Sequence, residues 1–132
     1  MAEIRVKTSE RIELIDITAP VNDALSREKI ESGLVNLFVL HTTSAVFVSE
    51  NWDPDVQTDM IKQLETIVPR NGSYKHGEGN SQAHILSVML GTSITLPVAD
   101  GRLLLGRWQG VIFGEFDGPR DRRVVLTALK SD

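Results

Sequence analysis

The chain contains no cysteine, and this absence restricts its chemistry more than any other feature of its composition. Disulfides, thiolate metal sites, iron–sulfur clusters and a cysteine nucleophile are all excluded. Histidine is also scarce, with only 3 residues in a chain of 132. Any reaction must therefore depend on a few imidazoles together with carboxylate, hydroxyl, amide or arginine groups.

The sequence also lacks a basic excess and any long apolar segment. Its formal net charge is −4 at pH 7, whereas nucleic-acid-binding domains usually present a strongly basic surface. No apolar run approaches the roughly 20 residues that span a bilayer. The first residues alternate in polarity and do not resemble a signal peptide. We therefore expect one cytoplasmic domain over residues 1–132, with neither nucleic acid nor a membrane as its partner.

Short apolar runs predict most of the chain as β-strands. Alternating polarity around Ile4 and Val6 predicts the first strand. A second run changes parity between Leu14 and Ile15, which predicts a strand with a bulge. Further strands are predicted at 34–40, 45–50, 93–98, 103–105, 108–116 and 124–129. The last two flank a charged loop at 117–123 and are predicted to form a hairpin.

Three segments carry helix signals. The first is predicted near 21–31, and Gly33 is predicted to stop it. The second begins at Asp53-Pro54, a capping residue followed by proline at the first helical position. The third spans about 81–90, with Ile85, Leu86, Met89 and Leu90 on its apolar face and Gly91 at its end. The predicted fold class is α+β, a mainly antiparallel sheet or sandwich with three helices packed on it.

The histidines lie in polar surroundings that favour a functional site. His76, Glu78 and Asn80 are spaced by two residues, so an extended backbone would direct all three to one side. His84 follows Asn80 by one helical turn. An imidazole beside a carboxylate is suited to proton transfer near neutral pH. The alternative interpretation is that the polar residues of this helix form only its solvent-exposed face. A divalent ion such as zinc, bound by His41, His76 and His84, is a further alternative, although no compact ligand motif is present.

Other polar residues stand where apolar or structural ones are usual. Glu50 lies at a strand-to-helix junction, a common place for site residues. Gln109 opens an apolar strand, and Glu115 lies between two phenylalanines, where a carboxylate needs a partner if it is buried. Arginines 120, 122 and 123 crowd the predicted loop and could bind a phosphate or carboxylate. No glycine-rich phosphate loop is present, which argues against a nucleotide-binding fold.

These motifs, in this order, resemble the YjbQ family, also called UPF0047, of secondary thiamine-phosphate synthase-like proteins. The resemblance covers nearly the whole chain. It depends on His41-Thr-Thr-Ser-Ala, Glu50-Asn51 with Asp53-Pro54, Tyr74-x-His76-x-Glu78, Ser81-x-x-His84-Ile85, Met89-Leu90-Gly91-Thr92-Ser93, Leu96-Pro97-Val98, Gly106-x-Trp108-Gln109-Gly110, and Glu115 with the closing arginines. One position departs from the family pattern, because Arg107 replaces the usual threonine before the tryptophan.

The resemblance implies a compact α+β fold assembled as a homotrimer, with polar clefts where subunits meet. It also implies a secondary activity that joins a hydroxymethylpyrimidine diphosphate to a thiazole phosphate and releases pyrophosphate. Family signature positions are matched here by His41, Glu50, His76, Glu78, His84, Gln109, Glu115 and an arginine.

The resulting hypothesis is a transferase with a phosphorylated small-molecule substrate. Arg122 or Arg123 would hold phosphate oxygens, together with Asn80 and Gln109. A divalent ion, zinc or magnesium, would share that task, and no nucleotide or flavin is expected. The three histidines would ligate the ion or transfer protons, while Glu50, Glu78 and Glu115 orient them. Two alternatives are a metal- or small-anion-binding module without turnover and a different metal-dependent hydrolase or lyase.

Overall fold

A computed structural model describes residues 1–131 of the chain. Within them the chain forms eight strands and three helices. The strands are β1 (Ala2–Lys7), β2 (Glu13–Asp16), β3 (Gly33–Val39), β4 (Ser44–Glu50), β5 (Ser93–Ala99), β6 (Arg102–Leu103), β7 (Gln109–Glu115) and β8 (Asp121–Lys130). The helices are α1 (Thr18–Arg27), α2 (Pro54–Ile67) and α3 (Ser81–Leu90). None of these helices is long and apolar enough to cross a membrane.

The strands form two sheets in which every pairing is antiparallel. One sheet has five strands in the order β1-β8-β3-β5-β6, and the other has three in the order β2-β7-β4. The α+β fold class predicted from the sequence is therefore confirmed. Its mainly antiparallel sheets and its three helices are confirmed as well.

The three-stranded sheet is covered on both faces, and this arrangement determines where the cores lie. Adjacent side chains of β4 point to opposite faces, and Val46 and Ala45 accordingly belong to two different apolar clusters. Val46 packs in the large core with residues of α1 and the five-stranded sheet. Ala45 packs with Leu86 of α3 and with Phe116. Helix α3 is thereby fixed against the end of the sheet from which the His41 segment emerges.

Three local predictions at the start of the chain are corrected. Helix α1 spans Thr18–Arg27 rather than 21–31. It ends early because Lys29 adopts a positive φ of 56° and the Ile30 N–H donates to the Leu25 carbonyl. Gly33 begins β3 instead of stopping the helix. The predicted bulge is wrong, because β2 pairs with β7 in continuous register from Glu13↔Glu115 to Asp16↔Ile112.

The predicted hairpin at the end of the chain is also wrong. Strand β7 lies in the three-stranded sheet and β8 in the five-stranded sheet, so the two do not pair. Strand β8 begins at Asp121, three residues before the predicted start. Arg122 and Arg123 are therefore strand residues on opposite faces, rather than members of one loop.

Helix α3 has the predicted bounds, and its predicted apolar face is confirmed only in part. Its buried residues are Gln82, Ala83, Leu86 and Ser87. Of the predicted apolar face, Leu86 is buried and Leu90 packs against the same cluster, whereas Ile85 and Met89 are exposed. Apolar residues surround the second half of this helix, so its sequence pattern does not select one face. The contacts of Leu86 and Ala83 with Phe116 and Ala45 make the selection.

Candidate functional site

A polar cleft of about 760 Å³ opens where the segment before β4, the start of α3 and the start of β8 meet. Its walls carry both histidine and arginine side chains, together with hydroxyl and carboxylate groups. The residues that line it include His41, Thr42, Thr43, Glu78, Asn80, His84, Asp117, Arg120, Asp121 and Arg122. Five of the residues predicted as a site from the sequence are therefore brought together here: His41, Glu78, Asn80, His84 and Arg122.

Arg122 is anchored beneath this cleft by a buried carboxylate. The Glu115 side chain is completely buried, and it accepts hydrogen bonds from Arg122 Nε at 2.9 Å and from Arg122 Nη2. Arg122 Nη2 also donates to Thr43 Oγ1 at 2.8 Å. Within residues 1–131 these contacts leave Arg122 Nη1 without a hydrogen-bond partner. Nη1 is therefore the nitrogen that can bind a ligand in the cleft.

Glu115 is committed to structural contacts. Besides Arg122, it accepts from Thr8 Oγ1 at 2.7 Å and from the Asp117 N–H at 3.1 Å. Burial alone raises the pKa of Glu115, but the hydrogen bonds from Arg122 and Thr8 outweigh it and hold the pKa below its ordinary value. The carboxylate is thus ionised at neutral pH and already satisfied, as a buried charge requires.

Arg120 is held by a second carboxylate, in a more exposed position. Its Nη2 lies 3.1 Å from Asp117 Oδ2, and its Nε donates to the Asp117 carbonyl at 2.8 Å. Asn80 Nδ2 donates to the same carboxylate at 2.9 Å. Burial alone raises the pKa of Asp117, but the hydrogen bonds from Asn80 and Arg120 outweigh this effect and hold the pKa below its ordinary value. Each of the two arginines in the cleft is therefore positioned by its own carboxylate.

His41 is held as a neutral imidazole. Its Nε2 accepts a hydrogen bond of 2.8 Å from the Arg123 backbone N–H. Burial lowers the pKa of His41, and the positive charges of Arg122 and Arg123 lower it further. Because Nε2 is an acceptor, the ring proton of the neutral form lies on Nδ1. His41 can therefore donate a hydrogen bond through Nδ1.

His84 lines the cleft, and the His76 side chain approaches it. Their ring centroids are 5.4 Å apart and nearly perpendicular. His76 Nε2 lies 3.6 Å from Glu78 Oε2, although both side chains are largely exposed. The sequence prediction that His76, Glu78 and His84 lie on one side of the chain agrees with this geometry. The alternative interpretation, a solvent-exposed helix face, is wrong for Ser87, which is buried and donates to the Ser44 carbonyl at 2.7 Å.

The predicted divalent metal does not fit the arrangement of donors in one chain. Among residues 1–131, no group of three or more histidine, aspartate or glutamate side chains is placed to hold a metal ion. Glu115 and Asp117, the carboxylates nearest the arginines, are engaged by Arg122 and Arg120 respectively. Metal binding by His41, His76 and His84 stays a prediction, and no chemical step is assigned to it.

Glu50 and Gln109 lie far from this cleft. They are paired with each other at one end of the β4–β7 ladder, whereas Ser44 and Glu115 are paired at the other. Six residue steps separate the two ends, a distance of roughly 20 Å at about 3.3 Å per residue. Glu50 accepts from the Trp52 and Asp53 N–H groups, and Gln109 Oε1 accepts from the Gly106 N–H. Within one chain, both residues stabilise turns.

Two further positions are clarified by the structure. Arg107 lies at the same distant end as Gln109, with its guanidinium 4.8 Å from the centre of the Trp108 ring. Arg123 lies on the face of β8 opposite to Arg122, and its side chain approaches Glu3 at 3.5 Å. Its contribution to the cleft is the backbone N–H that holds His41. Of the two predicted phosphate-binding arginines, Arg122 is thus the one that lines the cleft.

Sequence reasoning missed Thr43 and Asp117 as anchors for the arginines. Thr43 follows His41 by two residues, so its place near the site was readable from the motif. The role of Asp117 was not readable, because it depends on contacts with Asn80, which is 37 residues away.

An apolar groove of about 740 Å³ continues from the polar cleft. The two cavities share Leu40, His41, Thr42 and His84. The remaining lining comes from the end of β3, from α3 and from the two residues that follow α3: Phe38, Val39, Ser87, Val88, Gly91 and Thr92.

Comparisons with known proteins agree with this architecture. A family model described as UPF0047 protein YjbQ-like matches residues 2–131. The UPF0047 protein MJ1081 of Methanocaldococcus jannaschii is 46% identical over 125 residues, covering 95% of this chain and 91% of that protein. The UPF0047 protein YugU of Bacillus subtilis is 42% identical over 127 residues, covering 96% of each.

Solved structures share the fold closely. A crystal structure of an uncharacterized YjbQ/UPF0047 family protein from Clostridium acetobutylicum superposes with a TM-score of 0.94 at 42% identity, covering 98% of this chain and 100% of that one. The conserved hypothetical protein TT1486 from Thermus thermophilus gives a TM-score of 0.92 at 42% identity, with the same coverage. With the match over residues 2–131, these similarities show that the chain belongs to the YjbQ, or UPF0047, family.

Proposed function

We propose that the protein is a transferase with thiamine-phosphate synthase activity. It would join a hydroxymethylpyrimidine diphosphate to a thiazole phosphate and release pyrophosphate. The observation that carries this proposal is the anchored Arg122, whose Nη1 is free to bind in the same cleft as Arg120 and two histidines. A guanidinium held in a fixed orientation suits a phosphate oxygen, because its remaining N–H donors form charge-assisted hydrogen bonds with the anion.

The proposed reaction places the developing charge on the diphosphate. The bond between the pyrimidine methylene carbon and the diphosphate oxygen breaks, and its electron pair leaves with pyrophosphate. The thiazole nitrogen supplies the pair that forms the new C–N bond. Arg122 Nη1 and the Arg120 guanidinium would offset the charge on the leaving group. The Nδ1–H of neutral His41 would donate to a further phosphate oxygen.

The decisive experiment supplies both thiamine precursors to the purified protein and measures thiamine phosphate by mass spectrometry. We expect product above background, and an Arg120→Gln variant should form it at least about tenfold more slowly, which corresponds to about 1.4 kcal/mol of transition-state stabilisation. The matched control is Arg102→Gln, which removes an exposed arginine of β6 outside the cleft. No product from the intact protein would overturn the proposal.

A second candidate is a small-anion-binding protein without turnover. It is favoured by the contacts of Glu115, because the predicted catalytic carboxylate is fully occupied by Arg122, Thr8 and the Asp117 N–H. In that case pyrophosphate would raise the melting temperature, while no thiamine phosphate would form. The two measurements together distinguish the candidates.

We further propose that the cytoplasmic form is a homotrimer. Support comes from the outer face of the five-stranded sheet, where Leu34 and Leu129 are cross-strand partners and both are exposed. An apolar patch of this kind on a sheet commonly marks a contact between proteins.

A further inference from the structure

We propose that the apolar groove beside the polar cleft is a subsite for the apolar ring of a phosphorylated ligand. The inference rests on the proposed function, because it assumes that the phosphate of the ligand occupies the polar cleft. Val88 and Phe38 would determine specificity for the ring.

The apolar groove and the polar cleft are continuous. Leu40, His41, Thr42 and His84 line both of them. A ligand whose phosphate binds at Arg122 therefore extends past the two histidines directly into the groove. The groove has a volume of about 740 Å³, which lies within the range of small-molecule binding sites. A phosphate ester that carries a ring thus matches the site better than inorganic phosphate does.

Beyond the histidines, the groove presents a mainly apolar surface because polar groups of Ser87, Gly91 and Thr92 are already paired. Ser87 Oγ donates to the Ser44 carbonyl at 2.7 Å, and the Gly91 N–H donates to the Ser87 carbonyl at 2.9 Å. The Thr92 carbonyl accepts from the Val39 N–H at 2.8 Å. A ring entering the groove consequently displaces water without leaving these groups unpaired.

Two apolar side chains at the groove are left uncovered in the chain. Val88 of α3 is 83% exposed, and Phe38 of β3 is 44% exposed. Gly91 adds room beside them, since a Cβ at this position would meet no atom within 4 Å. Apolar surface of this kind next to a polar cleft gains free energy when a ring covers it.

The experiment compares two probes, inorganic phosphate and phenyl phosphate, by isothermal titration calorimetry on the full chain. We expect phenyl phosphate to bind at least about tenfold more tightly, because only it buries a ring. A Val88→Asn variant should lower the affinity for phenyl phosphate toward that for phosphate and leave phosphate binding unchanged. Phe38→Asn is a second variant with the same expectation. The control, Ile67→Asn, removes an exposed apolar side chain at the end of α2.

The outcomes distinguish a failure of the ring subsite from a failure of the proposed function. If wild-type protein binds both probes equally, the ring subsite is wrong and the proposed function is unaffected. If it binds neither, the proposed function fails and the subsite fails with it. Light scattering on the Val88→Asn variant tests the competing occupant, a second copy of the chain. If this variant loses oligomeric mass while the ratio of the two affinities stays at its wild-type value, the groove is an interface and the subsite is overturned.

Discussion

At the scale of single residues, Glu115 shows how burial changes what a carboxylate can do. The sequence places it between Phe113-Gly114 and Phe116, and this surrounding predicts that the carboxylate needs a partner. The partner is Arg122 from the other sheet, with Thr8 as a further donor. The carboxylate is thereby a positioning group for an arginine. Its direct contacts are with protein atoms of the cleft floor.

We expect Glu115→Ala to reduce the free energy of unfolding by about 3–5 kcal/mol, because it leaves the buried Arg122 charge without its partner. Urea unfolding followed by circular dichroism measures this change. Glu78→Ala is the control, since the Glu78 side chain is mostly exposed, and a surface substitution usually changes stability by less than about 0.5 kcal/mol. Equal effects of the two substitutions would contradict the buried ion pair.

Stability should fall on acidification in two steps. The pKa of His41 is lowered from 6.5 by burial and by Arg122 and Arg123. The unfolded chain therefore binds this proton more readily, and stability is lost as pH falls below about 6.5. Protonation also removes the Nε2 acceptor that binds the Arg123 N–H. A second loss of stability follows below about pH 4.5. The pKa of Glu115 is also lowered in the folded protein, so its carboxylate binds a proton more readily in the unfolded chain.

The measurement is the urea midpoint at pH 7.5 and pH 5.5. We expect His41→Gln to show a smaller difference between these two pH values than wild type does, and the control His76→Gln, on an exposed loop, to keep it. An unchanged difference in His41→Gln would show that another group carries the first step.

At the scale of elements, local signals placed the start of α2 and the bounds of α3 correctly, but they misplaced α1 and identified only part of the buried face of α3. Helix α2 begins at Pro54 because the Asp53 carboxylate accepts from the Asp55 N–H, a capping contact that lies entirely within the Asp-Pro-Asp segment. The end of α3 at Gly91 is equally local. Which face of α3 is buried depends instead on Phe116 and Ala45 of other elements. The start of β8 was missed because the charged run Asp121-Arg122-Arg123 is typical of a loop. Its place in a strand depends on the buried contact between Arg122 and Glu115.

We expect Gly91→Ala to destabilise the protein by about 1–3 kcal/mol. Gly91 has φ 96° and ψ 149°, a conformation that is nearly restricted to glycine. A Cβ meets no neighbouring atom within 4 Å at Gly91 or at Gly77, so steric clash is absent at both positions. Gly77→Ala, where φ is not positive, is therefore the matched control, with an expected change near zero. Thermal unfolding of the two variants separates backbone strain from packing.

At the scale of the whole molecule, the predicted site residues fall into two groups at opposite ends of the β4–β7 ladder. His41 and Glu115 lie at one end, whereas Glu50 and Gln109 lie at the other. A single chain cannot bring the two groups into one site, because paired strands hold them apart. The proposed trimer would allow one chain to supply each group.

We expect light scattering to give a mass three times the 14.6 kDa of one chain. Leu129→Glu should lower this mass, because it places a charge on the exposed apolar face that Leu129 forms with Leu34. Ile67→Glu is the control, because Ile67 on α2 is also an exposed apolar residue. Loss of mass in the control alone would move the interface away from the five-stranded sheet.

The sequence by itself determined the α+β class, most strand and helix positions, the family and the restriction of chemistry to histidine, carboxylate and arginine groups. These depend on composition and on contacts between residues that are close along the chain. Only the tertiary structure decided that Arg122 rather than Arg123 lines the cleft, that Glu115 anchors it, and that Glu50 and Gln109 lie elsewhere. These roles are set by burial and by pairing between strands that are distant in sequence, and a local sequence pattern does not predict such contacts.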